Sequence, residues 1–292
     1  MGFKRLSFSA LSLSAAAMLA STSSFAASDL SANGPRDGAI GFQEGVTPVM
    51  EKLVSFHNWF LMPIITIITL FVMVLMGYIM WRFSEKRNPE PSTTTHHVGL
   101  EVAWTLVPVI VLLVMVVPSM KLLYYQDVIP ESDMTIKVTG NTWNWEYAYP
   151  DHPDIESYIS NMLEKEDAVA AGKPYLLGSD APLVVPVDTT VKVIVTSSNN
   201  LHSFAVPAFG IKMDAVPGRL NETWFHVNPG KEGTYYGQCS ELCGVRHAFM
   251  PIEVKVVSKD AFAKWAANGG AFTNQAAGLN TAGSATTALA PK

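Results

Sequence analysis

Cysteine is nearly absent from this chain: two thiols, Cys239 and Cys243, serve 292 residues. A structural zinc site would close with four Cys or His ligands, and no Cys-x-x-Cys-His run exists to attach a haem covalently. Charge is thin as well, at 15% Asp, Glu, Lys and Arg. It is missing altogether from residues 58–81 and 102–120, and neither stretch carries histidines with which to hold haem. The 49% hydrophobic content and the formal charge of −5 average over unlike parts of the chain.

The uncharged stretches set the topology. At about 1.5 Å per residue, a helix over 58–81 crosses a hydrocarbon core of about 30 Å. A second span covers 102–124, with Trp104 at one end and Tyr124 and Tyr125 at the other, where amphipathic rings favour the interface. Pro63, Pro108 and Pro118 are tolerated when neighbours satisfy the freed carbonyls. Together 58–125 form a helical hairpin. Arg82, Lys86 and Arg87 bias its loop to the cytoplasm, so both chain ends lie outside. The first 27 residues carry Lys4 and Arg5, an apolar Ala- and Ser-rich stretch and a small-residue cleavage pattern at Ser24-Phe-Ala26-Ala27, and read as a signal peptide. Residues 28–57 are then an exported segment.

Past residue 130 the pattern changes to short strands: Thr135-Ile-Lys-Val-Thr, Leu183-Val-Val-Pro-Val, Val191-Lys-Val-Ile-Val-Thr, Glu222-Thr-Trp-Phe-His-Val and Ile252-Glu-Val-Lys-Val-Val. Several alternate apolar with polar residues, the period of a sheet with one buried face. Breaks such as Val216-Pro-Gly and Asn228-Pro-Gly separate them. A β-sandwich over 130–258 is expected. Trp143, Trp145, Tyr147 and Tyr149 alternate, so a regular strand places all four rings on one face. In 259–292 a short helix is expected at Asp260-Ala-Phe-Ala-Lys-Trp-Ala-Ala, then a disordered tail.

Both cysteines fall in Cys239-Ser-Glu-Leu-Cys243-Gly-Val-Arg-His247-Ala-Phe-Met250. Two thiols, an imidazole and a thioether in one loop are a soft ligand set that favours copper. His202, in Asn200-Leu-His202-Ser-Phe, is a further ligand if the fold brings it in. Mononuclear electron-transfer copper needs one thiolate, two imidazoles and a weak axial group. Here one thiolate is left over, which two bridging thiolates between two coppers would explain. The alternative is a disulfide, the default for two cysteines on an oxidising side. The surrounding His and Met favour metal, which requires loading with both thiols reduced.

The Cys-x3-Cys-x3-His-x2-Met run, the upstream His and the two spans resemble subunit II of cytochrome c oxidase, with its CuA centre. So do Gly-Gln-Cys-Ser-Glu-Leu-Cys-Gly at 237–244, Asp-Ala-Val-Pro-Gly-Arg at 214–219 and Glu-Val-Ala-Trp-Thr-Leu-Val-Pro at 101–108. The resemblance implies a cupredoxin-like Greek-key sandwich in which a late loop gives most ligands and an earlier strand gives one His. It implies that one copper takes His202 and Met250, that the other takes His247 and the backbone carbonyl of Glu241, and that Cys239 and Cys243 bridge. The Glu241 carboxylate would help to hold a Mg or Mn ion at subunit I. Trp143 matches the tryptophan that receives electrons from cytochrome c, so a bulge or strand end must expose it. Thr142 and Asn144 flank it where many relatives have Gln and Tyr. Glu101 matches the carboxylate at the entrance of a proton-uptake pathway. His57, His96, His97, His152 and His226 read as structural.

The function implied is electron uptake from cytochrome c and delivery to haem in subunit I, supporting oxygen reduction and proton pumping. The expected partners are subunits I and III, a basic cytochrome c, the bilayer of a bacterial inner membrane and a copper chaperone, with no nucleic acid. Residues 127–171 hold ten acidic side chains against Lys137 and Lys165, a bias that speeds encounter with a basic donor. Asn199 stands where several bacterial relatives have an acid. Three alternatives remain. A copper carrier would expose exchangeable ligands, a quinol oxidase subunit would lack the copper ligands, and a purely structural sandwich would leave the cysteine pattern unexplained.

Overall fold

The computed structural model describes residues 34–36 and 38–272. The leader expected at 1–27 and the tail after 272 lie outside the described residues.

The first helix, α1 (Pro48–Phe56), starts where Thr47 accepts the Met50 N–H at 3.1 Å and Pro48 presets the first turn. It passes through a π-turn (His57–Leu61) into α2 (Met62–Arg82), giving 35 continuous helical residues. The partner helix α3 (Val98–Asp127) has 30. At 1.5 Å per residue these are about 52 and 45 Å long, well beyond a core of about 30 Å. Both therefore exceed the uncharged runs at 58–81 and 102–120. The added turns carry charged residues such as Glu51, Lys52 and Glu101. Neither α2 nor α3 buries a side chain within the chain. Length, apolarity and this outward face make the protein membrane-anchored.

The helical extension joins the hairpin to the β domain. Thr47 is fully buried, and its hydroxyl donates to the Phe209 carbonyl at 2.7 Å. The backbone of Val46 bonds to Ala208 and Asn228, and Lys52 lies 3.2 Å above the Tyr125 ring. Tyr125 in turn packs edge-on against Trp224, whose Nε1 donates to the Gln126 carbonyl at 3.1 Å. Part of the segment before the first span is thus a brace for the sandwich.

Among the described residues ten strands build two five-stranded sheets. They are β1 (Met134–Asn141), β2 (Asn144–Ala148), β3 (Tyr158–Ser160), β4 (Leu183–Pro186), β5 (Thr190–Ser197), β6 (His202–Val206), β7 (Ile211–Ala215), β8 (Asn221–His226), β9 (Gly233–Cys239) and β10 (Pro251–Val257). The sheet orders are β3-β2-β1-β5-β8 and β4-β10-β9-β6-β7. Pairs β1/β5 and β4/β10 are parallel and the rest antiparallel. The chain changes sheet between β3 and β4, β4 and β5, β5 and β6, β7 and β8, and β8 and β9, as a Greek-key sandwich requires.

Alternation fixes which faces meet. Ile136 and Val138 of β1, and Val191, Val193 and Val195 of β5, are wholly buried, each contributing about 1.5–3 kcal/mol by leaving water. Trp145, Tyr147 and Tyr149 join this core, but Trp143 does not. It sits in the two-residue turn between Asn141 and Asn144, where β1 pairs with β2, so the four rings do not share one face. A short helix α4 (Lys165–Ala170) lies in the β3–β4 connection, and α5 (Lys259–Ala267) packs Trp265 against Tyr149 at 5.4 Å.

Candidate metal centre

Strand register brings the distant histidine to the sulfur loop. Phe204 of β6 pairs with Cys239 at the end of β9, and the Ser240 N–H donates to the Ser203 carbonyl at 3.0 Å. His202, two residues before Phe204, therefore stands beside Cys239. Its imidazole is fully buried, edge-on to Trp145 with centroids 6.0 Å apart.

After Cys239 the chain leaves the sheet and returns at Pro251. Gly244 takes φ +114°, which side chains rarely adopt, and a Cβ there would stand 3.2 Å from the Trp143 ring. The His247 N–H donates to the Gly244 carbonyl at 3.1 Å, and a single turn over His247–Phe249 aims Met250 inward. The Met250 carbonyl is held by Trp145 Nε1 at 3.2 Å.

Six donors converge. Cys239 Sγ lies 3.8 Å from Cys243 Sγ, 3.8 Å from His202 Nδ1 and 3.3 Å from the Glu241 carbonyl. Cys243 Sγ lies 3.5 Å from His247 Nδ1 and 3.5 Å from Met250 Sδ. The thiols are free, so they are not joined as the disulfide that an oxidising compartment favours. His202, Cys239, Cys243 and Met250 are buried, and His247 is half-buried.

The electrostatics suit a cation. Burial first, then His247, holds His202 below the usual imidazole range, so its ring is neutral and can ligate. Burial first, then the neighbouring Cys239, pushes the Cys243 thiol up to about 12. Without a cation this pocket keeps that thiol protonated, and a bound metal would offset the thiolate charge that burial penalises. Two thiols, two imidazoles, a thioether and a carbonyl form a soft donor set that fits copper and leaves no donor of the predicted set unplaced.

The other residues singled out from the sequence lie apart from these donors. Trp143 covers the loop from outside, its Nε1 donating to the Cys243 carbonyl at 3.1 Å. Glu101 is remote, in the first turn of α3, where its Oε1 accepts the His97 N–H at 3.2 Å while His97 Nδ1 accepts from Leu100. Among the ten acids of 127–171, Asp133 and Asp151 hold backbone N–H groups of Thr190 and Thr135. Sequence reasoning missed Gly140, which passes against His202, and Asn200, whose Nδ2 donates to the Cys243 carbonyl at 3.1 Å. Neither has a local signal. Trp145, expected only as core, also holds Met250.

Two family models match the chain: Cytochrome C oxidase subunit II, periplasmic domain, over residues 134–257, and Cytochrome C oxidase subunit II, transmembrane domain, over 35–122. Cytochrome c oxidase subunit 2 of Cereibacter sphaeroides is 45% identical over 255 residues, covering 82% of this chain and 83% of that one. Probable cytochrome c oxidase subunit 2 of Rickettsia bellii is 45% identical over 237 residues, covering 81% and 86%. The crystal structure of the periplasmic domain of subunit II of cytochrome oxidase from Bradyrhizobium japonicum is 48% identical, covering 49% of this chain and 97% of that one, with a TM-score of 0.45.

Proposed function

Because the chain belongs to the cytochrome c oxidase subunit II family, we propose that it is the electron-accepting subunit of a haem-copper oxidase, reduced by cytochrome c and delivering electrons to haem in subunit I. It is an oxidoreductase subunit, and oxygen reduction belongs to subunit I. The observation that carries this reading is the convergence of two imidazoles, a thioether and a backbone carbonyl on two free thiols 3.8 Å apart.

In this reading two coppers would be held by Cys239 and Cys243 together with His202, Met250, His247 and the Glu241 carbonyl. When bound, such a pair supplies a one-electron centre whose charge is spread over two metals. The protein's part is to hold the donors still. Four of the six ligand residues are buried, and both imidazoles present Nδ1 to sulfur, so a change of charge meets little freedom to rearrange. Trp143 covers the loop and is the group we assign to meet the donor cytochrome. The acids of 127–171 not engaged with backbone supply the attraction for a basic partner.

Further assignments follow from the same family reading. The Glu241 carboxylate contributes to a Mg or Mn site at subunit I. Glu101, at the start of α3, marks the entrance of a proton path. The leader at 1–27 is removed, the hairpin lies in a bacterial inner membrane, and the 130–258 domain faces the periplasm. Subunits I and III cover the apolar helix faces, and a chaperone delivers copper to reduced thiols.

The test is an electron paramagnetic resonance spectrum of the purified full-length chain loaded with copper in detergent, with total copper counted in the same sample. Hyperfine lines from one electron shared equally by two coppers, at two coppers per chain, are expected. A four-line signal at one copper per chain would overturn the dinuclear assignment and favour a carrier.

A further inference from the structure

The Cys243 carbonyl receives two side-chain donors from two other loops. Trp143 Nε1 reaches it at 3.1 Å from the β1–β2 turn, and Asn200 Nδ2 reaches it at 3.1 Å from the β5–β6 loop. A carbonyl has two lone pairs, so this acceptor is saturated. The Asn200 amide has a defined orientation: its Oδ1 accepts the Leu201 N–H at 2.9 Å, which turns the NH2 group towards Cys243. A second crossing joins the two donor loops, with Asn199 Nδ2 donating to Thr142 Oγ1 at 2.5 Å and Asn199 Oδ1 accepting the Asn200 N–H at 2.7 Å. The residue that follows Asn200 and Leu201 is His202. One exposed amide thus links the indole, the carbonyl of a sulfur-bearing residue and the strand that carries the first imidazole.

We propose that Asn200 is a positioning residue for electron uptake, holding the Cys243 carbonyl on the Trp143 indole so that the shortest path from the ring to the Cys243 sulfur is one hydrogen bond followed by covalent bonds of Cys243. The proposal rests on the electron-accepting reading above. In the step concerned the reduced donor loses one electron and the centre gains it, and no bond or proton changes place. Asn200 touches neither sulfur nor imidazole with its side chain, so its effect runs through Cys243 and Trp143. A hydrogen bond also withdraws electron density from the carbonyl, which favours the reduced form of the centre.

The test uses the full-length copper-loaded chain in detergent, with Asn200→Leu, Asn200→Gln, Trp143→Phe and the Asn200→Leu/Trp143→Phe pair. Copper content, the paramagnetic spectrum, the reduction potential and the stopped-flow rate of reduction by cytochrome c are read. Asn200→Leu is expected to keep both coppers and the shared-electron spectrum, to lower the potential, and to slow reduction about tenfold, the scale of one lost hydrogen bond. Asn200→Gln, which keeps an amide on an exposed loop, recovers most of the rate, and the Leu change adds nothing once Trp143 is Phe. If Asn200→Leu cannot be purified folded, Asn200→Ala, which also lacks the N–H donor and adds no charge, carries the same expectations. An unaltered rate and potential in the Leu variant would overturn the proposal. So would equal copper loss in the Leu and Gln variants, which would make Asn200 a loop anchor only. A wild-type chain that binds copper but is not reduced by cytochrome c would fail earlier and separately, at the electron-accepting reading itself.

Discussion

The backbone of Gly140 lies against the His202 imidazole: a Cβ on Gly140 would stand 3.0 Å from ring atoms Cγ and Cδ2 and 3.1 Å from the histidine Cβ. Trp145, the cross-strand partner of Gly140, also packs edge-on against this ring, so the sheet already crowds it at this point. Gly140→Ala is therefore expected to push His202 away from Cys239 while leaving β1 paired. Copper bound per chain should fall, or the spectrum should lose the equivalence of its two metals, with the circular dichroism of the sandwich retained. An unchanged copper count and spectrum would show that the ring has slack the packing does not reveal.

The raised Cys243 thiol predicts a pH dependence with a definite sign. Its folded value of about 12 exceeds the ordinary value of 9.0 because burial, then Cys239, disfavours the thiolate. The metal-free fold thus has the full contribution of this group below about pH 9 and loses it as pH rises towards 12. Tyr147, Tyr149 and the half-buried Tyr158, also raised by burial, add their own alkaline loss, so the Cys243 part is the difference between wild type and Cys243→Ser. Thermal midpoints of the metal-free proteins across pH 8 to 12 should converge as the pH rises. Alkylation of Cys243 should be slow at neutral pH, and copper loading should release protons.

A buried ion pair ties the acidic connection to the sheet. Glu253 of β10 is 2% exposed, and its Oε1 lies 2.9 Å from Lys173 Nζ. Its Oε2 accepts the Ser179 N–H at 2.7 Å, while Lys173 also donates to the Ser179 carbonyl at 2.8 Å. Lys173→Met leaves the carboxylate buried without its cation, at a cost of about 3–5 kcal/mol. Replacing both by Met removes the stranded charge and is expected to recover most of the loss. Denaturant midpoints of the two variants decide it, and equal midpoints would mean that water reaches Glu253.

How much of this was legible follows from where each signal lives. The ligand loop was readable because five of the six metal-site residues fall within twelve consecutive positions, and the spans because charge vanishes from them. Strands β1, β5, β8 and β10 were found within a residue or two of their ends, and β4 within one. By contrast β6 is buried at all five positions and shows no alternation, so its pattern is mute although it carries His202. The brace at Val46 to Met50 was hidden because its partners, Ala208, Phe209 and Asn228, are far away in sequence. Gly140 and Asn200 act only through tertiary contact. A glycine in a strand and an asparagine in a loop have ordinary local explanations, and only the fold gives them others.

Met250 separates a weak ligand from a packing residue. Its Sδ is 3.5 Å from Cys243 Sγ and the side chain is 1% exposed. Leucine fills nearly the same volume, and such swaps cost less than about 1.5 kcal/mol, so Met250→Leu should fold with its Trp145 bond to the backbone carbonyl intact. If the thioether is a weak donor to one copper, its loss withdraws electron density chiefly from the oxidised state. The reduced state is then relatively favoured, and the potential should rise while both coppers remain bound through the thiolates and imidazoles. The hyperfine pattern should also become less even, because only one of the two metals loses a donor. A variant with the wild-type potential and spectrum would place Met250 in the core alone, and the sulfur contact with Cys243 would then be packing.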